Sequence, residues 1–593
     1  MLAPILLTAF AVLATYLFRK IRWARLEQFK NIPQIKPSAF WGHLKLMGEL
    51  MSSGRENAHP DEMFVEISEQ LGRPPCFLVD ARPASWPTLL VANHETAEQI
   101  SRVTKQFPWA VPKSPSFQDV IHVVGYKSLL IQEGEEWKQL RKMFNPGFAP
   151  SHLITMLPAI LGKLSRFLQL MDTYAATGEV FSLSKPIINL TFDIIGAVVM
   201  DTDVDAQHEK DEDRSQLIRL FDELSQTYTG QGQNIPWYFR PRLEYRRIGI
   251  ARQIDNILKP IVRQKHAELK RGSTKGRTVL DLSLQGIDDL TEAYVSLACD
   301  QIKTFLFAGH DTTAILLSWT FYELSRSPRV LKTVRDELDD LFGPDPDPES
   351  VIAKLLAPGG EELVSRMPYI SAVIKEVLRL RPPAGSARMS PKGAGLMMRM
   401  QNGEDVCIDN MIIYLCGHLI QRDRNVYGET ADDFVPERWL GDSDTSERTN
   451  DDAEGSKQEN KITPGAWRPF ERGPRSCIGQ ELANIEARVI IAAIARRYDI
   501  TKVGLGELAL NEKGEPVLNE KGQYKVKSEV YQVSRAHRSG VVGRVRRPST
   551  DSLQTIQVTA KPVDGMKVKI KLAPNATTSR PSVVGVGDLL NHR

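Results

Sequence analysis

Apolar residues recur at helical spacing through the middle of this 593-residue chain, and short turn signals separate the recurrences. One such segment starts at acidic residues near Asp288, stops before Pro328 and is apolar on most sides in its second half. It predicts a helix of more than thirty residues that runs through a core. Shorter helices are predicted from Met367 to Pro382 and directly after Cys477. The pattern favours a mainly α fold.

The N-terminal 18 residues contain no charged side chain. A helix of that length covers about 27 Å, close to the thickness of a hydrocarbon core. The basic residues that follow are Arg19, Lys20, Arg22 and Arg25. Because a signal peptide would carry its basic residues before the apolar run, we expect residues 1–18 to be an uncleaved transmembrane anchor in membrane lipid. Residues 19–45 would form a basic, proline-containing hinge, and the positive-inside rule leaves residues 46–593 in the cytosol.

Composition narrows the function classes only in part. With 42% hydrophobic and 25% charged residues the chain is an ordinary globular protein, and a net charge of +3 is too small to indicate a nucleic-acid partner. The cysteines lie far apart without a CxxC pair, which argues against a disulfide framework and against a structural zinc site. They are Cys76, Cys299, Cys407, Cys416 and Cys477. No nucleic acid is expected as a partner, and the compartment should be reducing.

One cysteine stands apart, in the stretch PFERGPRSCIGQELA. At the N-terminus of a predicted helix, with Arg475 nearby, the thiolate of Cys477 would be favoured, so the residue suits a nucleophile or a metal ligand. A cysteine hydrolase would need an orienting histidine, and a zinc site would need ligands that the spacings do not offer. A single thiolate suffices for haem iron, because the porphyrin supplies the in-plane ligands. Gly473 and Gly479 would then allow close approach of the backbone, and Phe470 would cover the sulfur.

The stretch Phe470-Glu-Arg-Gly473-Pro-Arg475-Ser-Cys477-Ile-Gly479 resembles the FxxGxRxCxG haem-binding signature of the cytochrome P450 superfamily. Further motifs stand in the family's order within residues 1–505. They are Trp137-Lys-Gln-Leu-Arg141, Ala308-Gly-His-Asp-Thr-Thr313, Glu376-Val-Leu-Arg379 and Pro436-Glu-Arg438. The chain is similar above all to microsomal eukaryotic members, including filamentous-fungal members of specialised metabolism. The resemblance implies the P450 fold, mainly α with a smaller β region, and an endoplasmic reticulum membrane location.

The resemblance also implies roles for these residues. Cys477 would be the axial thiolate ligand of the iron in haem b. The side chains that would donate to the haem propionates are Trp137, Arg141, Arg388 and Arg475. Glu376, Arg379 and Arg438 would form a buried network that holds the cysteine loop in place and takes no part in the chemistry.

Asp311 and Thr312 lie in the apolar middle of the long helix, where a carboxylate and a hydroxyl are costly. The resemblance implies that the helix opens locally here, so that Thr312 hydrogen-bonds oxygen beside the haem and Asp311 relays protons. Thr313 better fits the structural alternative, a hydroxyl that donates to the carbonyl four residues earlier. Asp311 and Thr312 are therefore the expected catalytic residues.

The sequence indicates the residues of the substrate pocket less clearly than those of the haem site. By resemblance Phe305 and Ala308 adjoin the oxygen site, and Ala384, Gly385 and Ser386 line the position where this family faces its pocket. Small side chains there would leave room over the haem, which favours a bulky, polycyclic hydrophobic substrate.

The expected reaction inserts one atom of O2 into that substrate, with electrons from NADPH through a separate reductase. Lys138 and Lys142 lie four residues apart on one predicted helix and could receive an acidic reductase or remain solvated charges. A haem-thiolate isomerase or dehydratase is the nearest alternative, and a non-catalytic haem-binding sensor is another. The presence of Asp311 and Thr312 argues against both alternatives.

Polar segments interrupt the helical pattern near the C-terminal end. Residues 441–461 lack apolar periodicity and predict a solvated loop. After residue 505 a hairpin-like stretch, LNEKGEPVLNEKG, precedes the basic segment 533–554, whose removal would join EVYQ to TIQVTAKPVDGM. The ends of that segment can be encoded as splice sites. An unspliced intron translated in frame and a natural surface loop both stay open as interpretations.

Overall fold

The structure is a computed structural model. The residues that it describes are 2–53, 58–208, 210, 212–228, 240–272, 277–441, 462–533 and 559–576, without the side chains of residues 2–4, 53 and 533. Apart from Gly441 and the backbone of Val533, the predicted polar loop 441–461 and the basic segment 533–554 lie outside the described residues.

Helices dominate the described chain. They are α1 (Leu2–Arg22), α2 (Leu44–Ser53), α3 (Pro60–Gln70), α4 (His94–Ser101), α5 (Ile121–Val124), α6 (Gly134–Phe144), α7 (Pro150–Leu153), α8 (Leu157–Gly162), α9 (Leu164–Thr177), α10 (Ser184–Met200), α11 (Gln216–Gln226), α12 (Pro241–Lys270), α13 (Val279–Leu284), α14 (Glu292–Arg326), α15 (Pro328–Phe342), α16 (Pro348–Leu356), α17 (Pro368–Leu380), α18 (Gly417–Ile420), α19 (Arg424–Tyr427) and α20 (Gln480–Ile494). The predicted mainly α character is confirmed.

Helix α14 is the long helix that the sequence predicts, and it spans 35 residues. Thr291 caps it by accepting the backbone N–H of Tyr294, and Pro328 starts the next helix. The second half of α14 is buried because it crosses the main hydrophobic core, where Trp319 is completely inaccessible. Helices α10, α12, α17 and α20 pack against α14, so the helix that follows Cys477 adjoins it directly.

Short strands form the smaller β region. They are β1 (Cys76–Asp80), β2 (Pro87–Val91), β3 (Phe181–Ser182), β4 (Ser386–Met389), β5 (Met397–Arg399), β6 (Asp405–Cys407), β7 (Ile412–Leu415), β8 (Tyr498–Lys502), β9 (Gln532–Val533), β10 (Lys561–Pro562) and β11 (Lys567–Leu572). The sheet orders are β1-β2-β7-β4, β3-β11-β8, β10-β9 and β5-β6, and β2 with β7 is the parallel pair among the described strands. The first sheet delivers Arg388, on β4, toward the cysteine loop.

The hairpin-like stretch after residue 505 folds as two turns of the same form, because the sequence LNEKG occurs twice in succession. Asn511 and Asn519 each accept, through the side-chain oxygen, the backbone N–H groups two and four residues later. The second turn is attached to the body of the protein, since Lys521 Nζ lies 2.5 and 2.7 Å from the two carboxylate oxygens of Asp433.

Helix α1 continues past the apolar residues 1–18 and is followed by a π-helical turn, Trp23–Glu27. In that turn Arg25 is buried and lies 2.6 Å from Asp80, which fixes the start of the predicted hinge to β1. Among the described residues no single helix is long and apolar enough to cross a membrane. One bent helix pair, Pro150–Gly162 with Leu164–Thr177, meets that length and composition.

Candidate active site

The loop in front of α20 presents Cys477. Its backbone N–H donates to the carbonyl oxygen of Phe470 at 2.8 Å, which closes the loop. Gly473 has a φ of +77°, and a Cβ there would lie 2.2 Å from the carbonyl oxygen of Ser101. The backbone conformation and the packing on Ser101 therefore both require glycine at position 473. Gly479 caps α20, and a Cβ there would meet only the Cys477 sulfur, at 3.9 Å.

The side chain of Cys477 is exposed, yet it is desolvated. Burial raises the pKa of its thiol, and the Gly479 N–H, Arg141 and Lys113 only partly offset this effect. An accessible thiol in desolvated surroundings lines an internal recess. The sequence analysis expected the helix N-terminus and Arg475 to favour the thiolate, but burial dominates, and the cations that act on the sulfur are Arg141 and Lys113. A bound metal cation is what would hold this sulfur ionised.

Basic side chains crowd together beside the cysteine loop. Arg388 and Arg475 are buried, and the backbone of Lys113 pairs with that of Arg388. Burial, together with Arg475 and Arg388, lowers the pKa of Lys113 well below its ordinary value. Burial also lowers the pKa of Arg475 to about 10, although Glu133 accepts from its guanidinium at 2.8 Å. Glu471 is the other acid whose charge acts on Arg388 and Lys113.

Three donor nitrogens of this cationic cluster lack acceptors within the part of the chain that the structure describes. Two nitrogens of Arg475, Nε and one terminal nitrogen, and Nε of Arg388 are buried without a hydrogen-bond partner among the described residues. Unsatisfied buried donors cost free energy, more so when they are charged. The propionate carboxylates of haem b would supply the missing acceptors, and Cys477 would supply a thiolate ligand for the iron. The donor set therefore fits haem b.

Helix α6 carries two of the residues expected at the haem. Trp137 is buried, and the guanidinium of Arg475 lies 4.6 Å from the centroid of its ring. Arg141, one turn later, donates to the carbonyl oxygen of Ser476 at 2.7 Å. Arg141 thus holds the cysteine loop directly, a contact that the sequence analysis did not foresee when it assigned Arg141 to a propionate.

The expected glutamate–arginine network is assembled around Glu376. Arg379 and Arg438 approach its Oε1 at 2.8 and 3.0 Å, and Trp439 Nε1 donates to Oε2 at 2.9 Å. Ring contacts continue from Trp439 through Trp467 to Phe470, with centroids 5.9 and 6.1 Å apart. The network is therefore connected by packed aromatic rings to the loop that carries Cys477.

Helix α14 remains continuous through Asp311 and Thr312, so the local opening that the resemblance implied is absent from this structure. The hydroxyl of Thr312 donates to the carbonyl oxygen of Ala308 at 2.8 Å. The sequence analysis gave this type of bond to Thr313 instead, but an intact helix keeps the Ala308 carbonyl within reach of Thr312. Asp311 is buried and lies 2.6 Å from Lys561 Nζ.

The residues expected to line the substrate pocket do not all meet. Ala308 is exposed in the middle of α14, as a cavity wall would be. Phe305 is buried instead, with its ring 5.2 and 5.0 Å from those of Phe144 and Phe148. A Cβ at Gly385 would lie 2.3 Å from the Tyr414 hydroxyl, so that glycine serves packing.

Ala384 and Ser386 are both half-buried. Ser386 begins β4. Burial raises the pKa of Glu471, but the charges of Arg468 and Arg388 outweigh it, and a hydrogen bond from the Ser386 side chain helps to lower this pKa. Ser386 therefore lies beside the charged cluster. The path of the chain into strand β4 decides which way the side chains of Ala384 and Ser386 point, and no sequence motif predicts that direction.

The cytochrome P450 family model matches residues 39–528. The chain belongs to the cytochrome P450 family. Among its relatives, the cytochrome P450 monooxygenase acrF of Aspergillus aculeatus is 32% identical over 466 residues, 76% of this chain and 89% of the relative. The cytochrome P450 monooxygenase polC of Polytolypa hystricis is 28% identical over 517 residues, 83% of this chain and 85% of the relative.

Solved structures agree on the fold. The crystal structure of a cytochrome P450, CYP102L1, is similar with a TM-score of 0.62 at 18% identity, and the match covers 87% of this chain and 95% of that one. The family consists of oxidoreductases that incorporate oxygen, so this cytochrome P450 is an enzyme of the monooxygenase class. The predicted resemblance, including that to fungal members, is confirmed.

In this cytochrome P450, Cys477 would hold the haem iron, and Arg388, Arg475 and Lys113 would hold its propionates. When bound, haem supplies the redox-active iron at which oxygen is activated. Lys113 was missed by the sequence analysis, because a lone lysine before a turn has no periodic or motif signal. Lys561 was missed too, although it stands in the stretch QVTAKPVDGM that resembles the family's closing strands.

Proposed function

We propose that this cytochrome P450 is a monooxygenase anchored in the endoplasmic reticulum membrane, which inserts one oxygen atom of O2 into a hydrophobic, polycyclic specialised metabolite. Its electrons come from NADPH through a separate reductase. The observation that carries the proposal is the exposed thiol of Cys477 beside the unsatisfied buried donors of Arg388 and Arg475. A haem-thiolate centre supplies both the cation and the carboxylates that these groups lack.

Membrane attachment by residues 1–18 is supported by the surface of α1. Its large apolar side chains from Ile5 to Phe18 are 46–71% exposed. Arg25 Nη2, just beyond α1, donates to the carbonyl oxygens of Phe40 and Arg82 at 2.8 and 2.6 Å, which ties two surface turns to its base. Exposed aromatic side chains stand there: Trp23, Phe40, Trp41 and Trp86. Tryptophan is typical of the membrane interface.

A hydrophobic substrate is supported by the middle of α14. Ala308 is exposed and its neighbours Phe307 and Gly309 are half-buried, although both ends of this stretch are buried in the core. A small apolar side chain at that point leaves room for a bulky ligand beside Thr312. Thr312 would orient its hydroxyl toward that space, and Asp311 would relay protons.

A reductase is expected to dock on the exposed side of α6. The side chain of Lys138 is 51% exposed and lies 4.7 Å from the centroid of the Trp109 ring, and Lys142 is exposed one turn later. The same helix contacts the cysteine loop through Arg141. A partner bound to these lysines would therefore deliver electrons one helix away from Cys477.

The test is reconstitution of the full chain with NADPH–cytochrome reductase in phospholipid vesicles, against a panel of polycyclic hydrophobic compounds under isotopically labelled O2. We expect substrate-dependent oxidation of NADPH and one labelled oxygen atom in each product molecule, with Cys477→Ser as the inactive control. Conversion of a substrate without NADPH would instead identify an isomerase or dehydratase. A protein that binds haem but never couples NADPH oxidation to a substrate would be a sensor.

A further inference from the structure

Lys561 faces the carboxylate of Asp311. Its Nζ lies 2.6 Å from Oδ1, and the hydroxyl of Thr559 donates to Oδ2 at 2.7 Å. The side chain of Asp311 is 7% exposed, whereas that of Lys561 is 28% exposed. Lys561 is therefore the more accessible partner of a carboxylate that is buried in the middle of α14.

The segment that carries Lys561 is held in place by its own backbone contacts. Lys561, on β10, pairs with Val533 on β9. The N–H of Ala560 donates to the carbonyl oxygen of Pro383 at 2.8 Å, next to residues expected at the substrate pocket. The ammonium group thus reaches Asp311 from a framework separate from α14. Its position is set by the C-terminal strands.

The groups around Asp311 act in opposite directions. Burial alone would raise the pKa of Asp311, but the charges of Lys561 and His310 and the bonds from Lys561 and Thr559 outweigh it, so this pKa is lowered. The pKa of His310 is itself lowered, chiefly by burial. The other charged group that faces His310 is Asp222, on α11. Of the groups that lower the pKa of Asp311, Lys561 contributes most. Without Lys561, the effect of burial would dominate and raise this pKa.

We propose that Lys561 is a positioning residue that keeps the Asp311 carboxylate ionised and fixed, so that Asp311 can take up a proton from the solvent side in every turnover. The inference rests on the proposed monooxygenase function, in which the second oxygen atom leaves as water and consumes protons. In the uptake step an O–H bond of a hydronium ion breaks and an O–H bond forms on Asp311. Lys561 keeps its charge throughout.

The test compares substrate-free holoenzyme carrying Lys561→Met or Lys561→Arg with the wild type, by infrared spectroscopy at neutral pH. The carboxyl band of protonated Asp311 is assigned by its loss on adding Asp311→Asn. We expect that band in Lys561→Met and its absence from the wild type and from Lys561→Arg, because arginine retains the charge. Lys571→Met is the matched control, since Lys571 is 73% exposed and lies 3.8 Å from Asp499.

Turnover provides the second readout. In Lys561→Met we expect a several-fold fall in product formed per NADPH, more hydrogen peroxide, and recovery toward higher pH as the carboxyl ionises. Lys561→Arg should restore the wild-type ratio. If Lys561→Met does not retain haem, Thr559→Val removes the bond to Oδ2 while it spares the ion pair, and a smaller shift in the same direction is expected.

A wild-type product ratio in Lys561→Met, without the carboxyl band, would overturn the proposal. Uncoupling in Lys561→Arg as severe as in Lys561→Met, with Asp311 still ionised, would also overturn it, because Lys561 would then pass the proton itself. Failure of the proposed monooxygenase function can be distinguished from failure of the proposed role of Lys561. It would leave the infrared result intact and abolish product formation in the wild type with every compound.

Discussion

Arg379 binds Glu376 at two points, Nε to Oε2 at 2.9 Å and one terminal nitrogen to Oε1 at 2.8 Å, and both side chains are completely inaccessible. The pair lies three residues apart on α17. Arg438 and the backbone N–H of Val435 approach the same Oε1 at 3.0 and 2.9 Å. Such a desolvated pair stabilises a fold only while both partners are present. It joins α17 to the segment that supports the cysteine loop.

Glu376→Gln should destabilise the holoenzyme by about 3–5 kcal/mol, because it leaves the inaccessible charge of Arg379 and the half-buried charge of Arg438 without their carboxylate. Haem content should fall with stability, as measured by absorbance and by chemical unfolding. The matched control is Asp336→Asn, which breaks a 2.5 Å pair with Lys332 whose side chains are 55% and 76% exposed. That control should change stability by less than about 1 kcal/mol. A Glu376→Gln protein with wild-type stability and haem content contradicts the role of the network.

Glu486, on α20, should make stability depend on pH. Burial raises the pKa of its carboxyl well above the ordinary value of 4.5, so the folded protein keeps the proton that the unfolded chain releases above that value. Over this window, from about pH 4.5 upward to the raised pKa, the free energy of unfolding of the wild type should fall relative to Glu486→Gln by about 1.4 kcal/mol per pH unit. Urea unfolding from pH 5 to pH 8 measures the difference.

The control for that series is Glu481→Gln, at a half-buried position in the first turn of the same helix. Because it retains Glu486, its free energy of unfolding should still fall with rising pH. If Glu486→Gln runs parallel to the wild type, the carboxyl ionises normally in the folded protein and the argument from burial fails.

Thr312→Ala should leave NADPH oxidation running while the product yield falls several-fold and hydrogen peroxide rises, because the hydroxyl beside the exposed Ala308 is lost. The same helix provides a control. Thr320 makes the same bond, to the carbonyl oxygen of Leu316 at 2.8 Å, but lies in the core. Thr320→Ala should keep its coupling. Equal uncoupling in both variants would show that the bond within the helix matters, and not the position of Thr312.

Charge reversal at Lys138 and Lys142 should slow reduction by the reductase and flatten its dependence on salt concentration, because complementary charges speed encounter mainly at low ionic strength. Stopped-flow reduction at several salt concentrations measures this effect. The control is Lys332→Glu on α15, whose side chain is 76% exposed. Unchanged kinetics in the double variant would discard the docking site.

The sequence predicts most of what local rules determine. The sequence predicts helix α14 to within a few residues at each end, because apolar periodicity, the acidic residues near Asp288 and Pro328 mark it. The Cys477 loop followed from its motif, and Glu376, Arg379 and Arg438 meet as the resemblance implied.

The features of the site that the sequence does not predict depend on contacts between segments that are distant in the chain. Thr559 lies 248 residues from the Asp311 carboxylate that it binds, and no spacing rule links them. Phe305 was expected at the pocket, but the side of α14 that it occupies packs on Phe144 and Phe148. The bond of Thr312 to Ala308 depends on whether the helix opens, which is a tertiary property.

The central claim is that Cys477 is the axial thiolate of a haem. The carbon monoxide difference spectrum of the reduced protein tests it most directly, on the full chain, on Cys477→Ser and on a chain without residues 533–554. The thiolate-type band should appear in the wild type or in the shortened chain, and be absent from Cys477→Ser. A band in the shortened chain alone would show that residues 533–554 disturb the haem site, as a translated intron would. A folded, haem-loaded protein without that band in either form, or a Cys477→Ser variant that keeps it, would contradict the account.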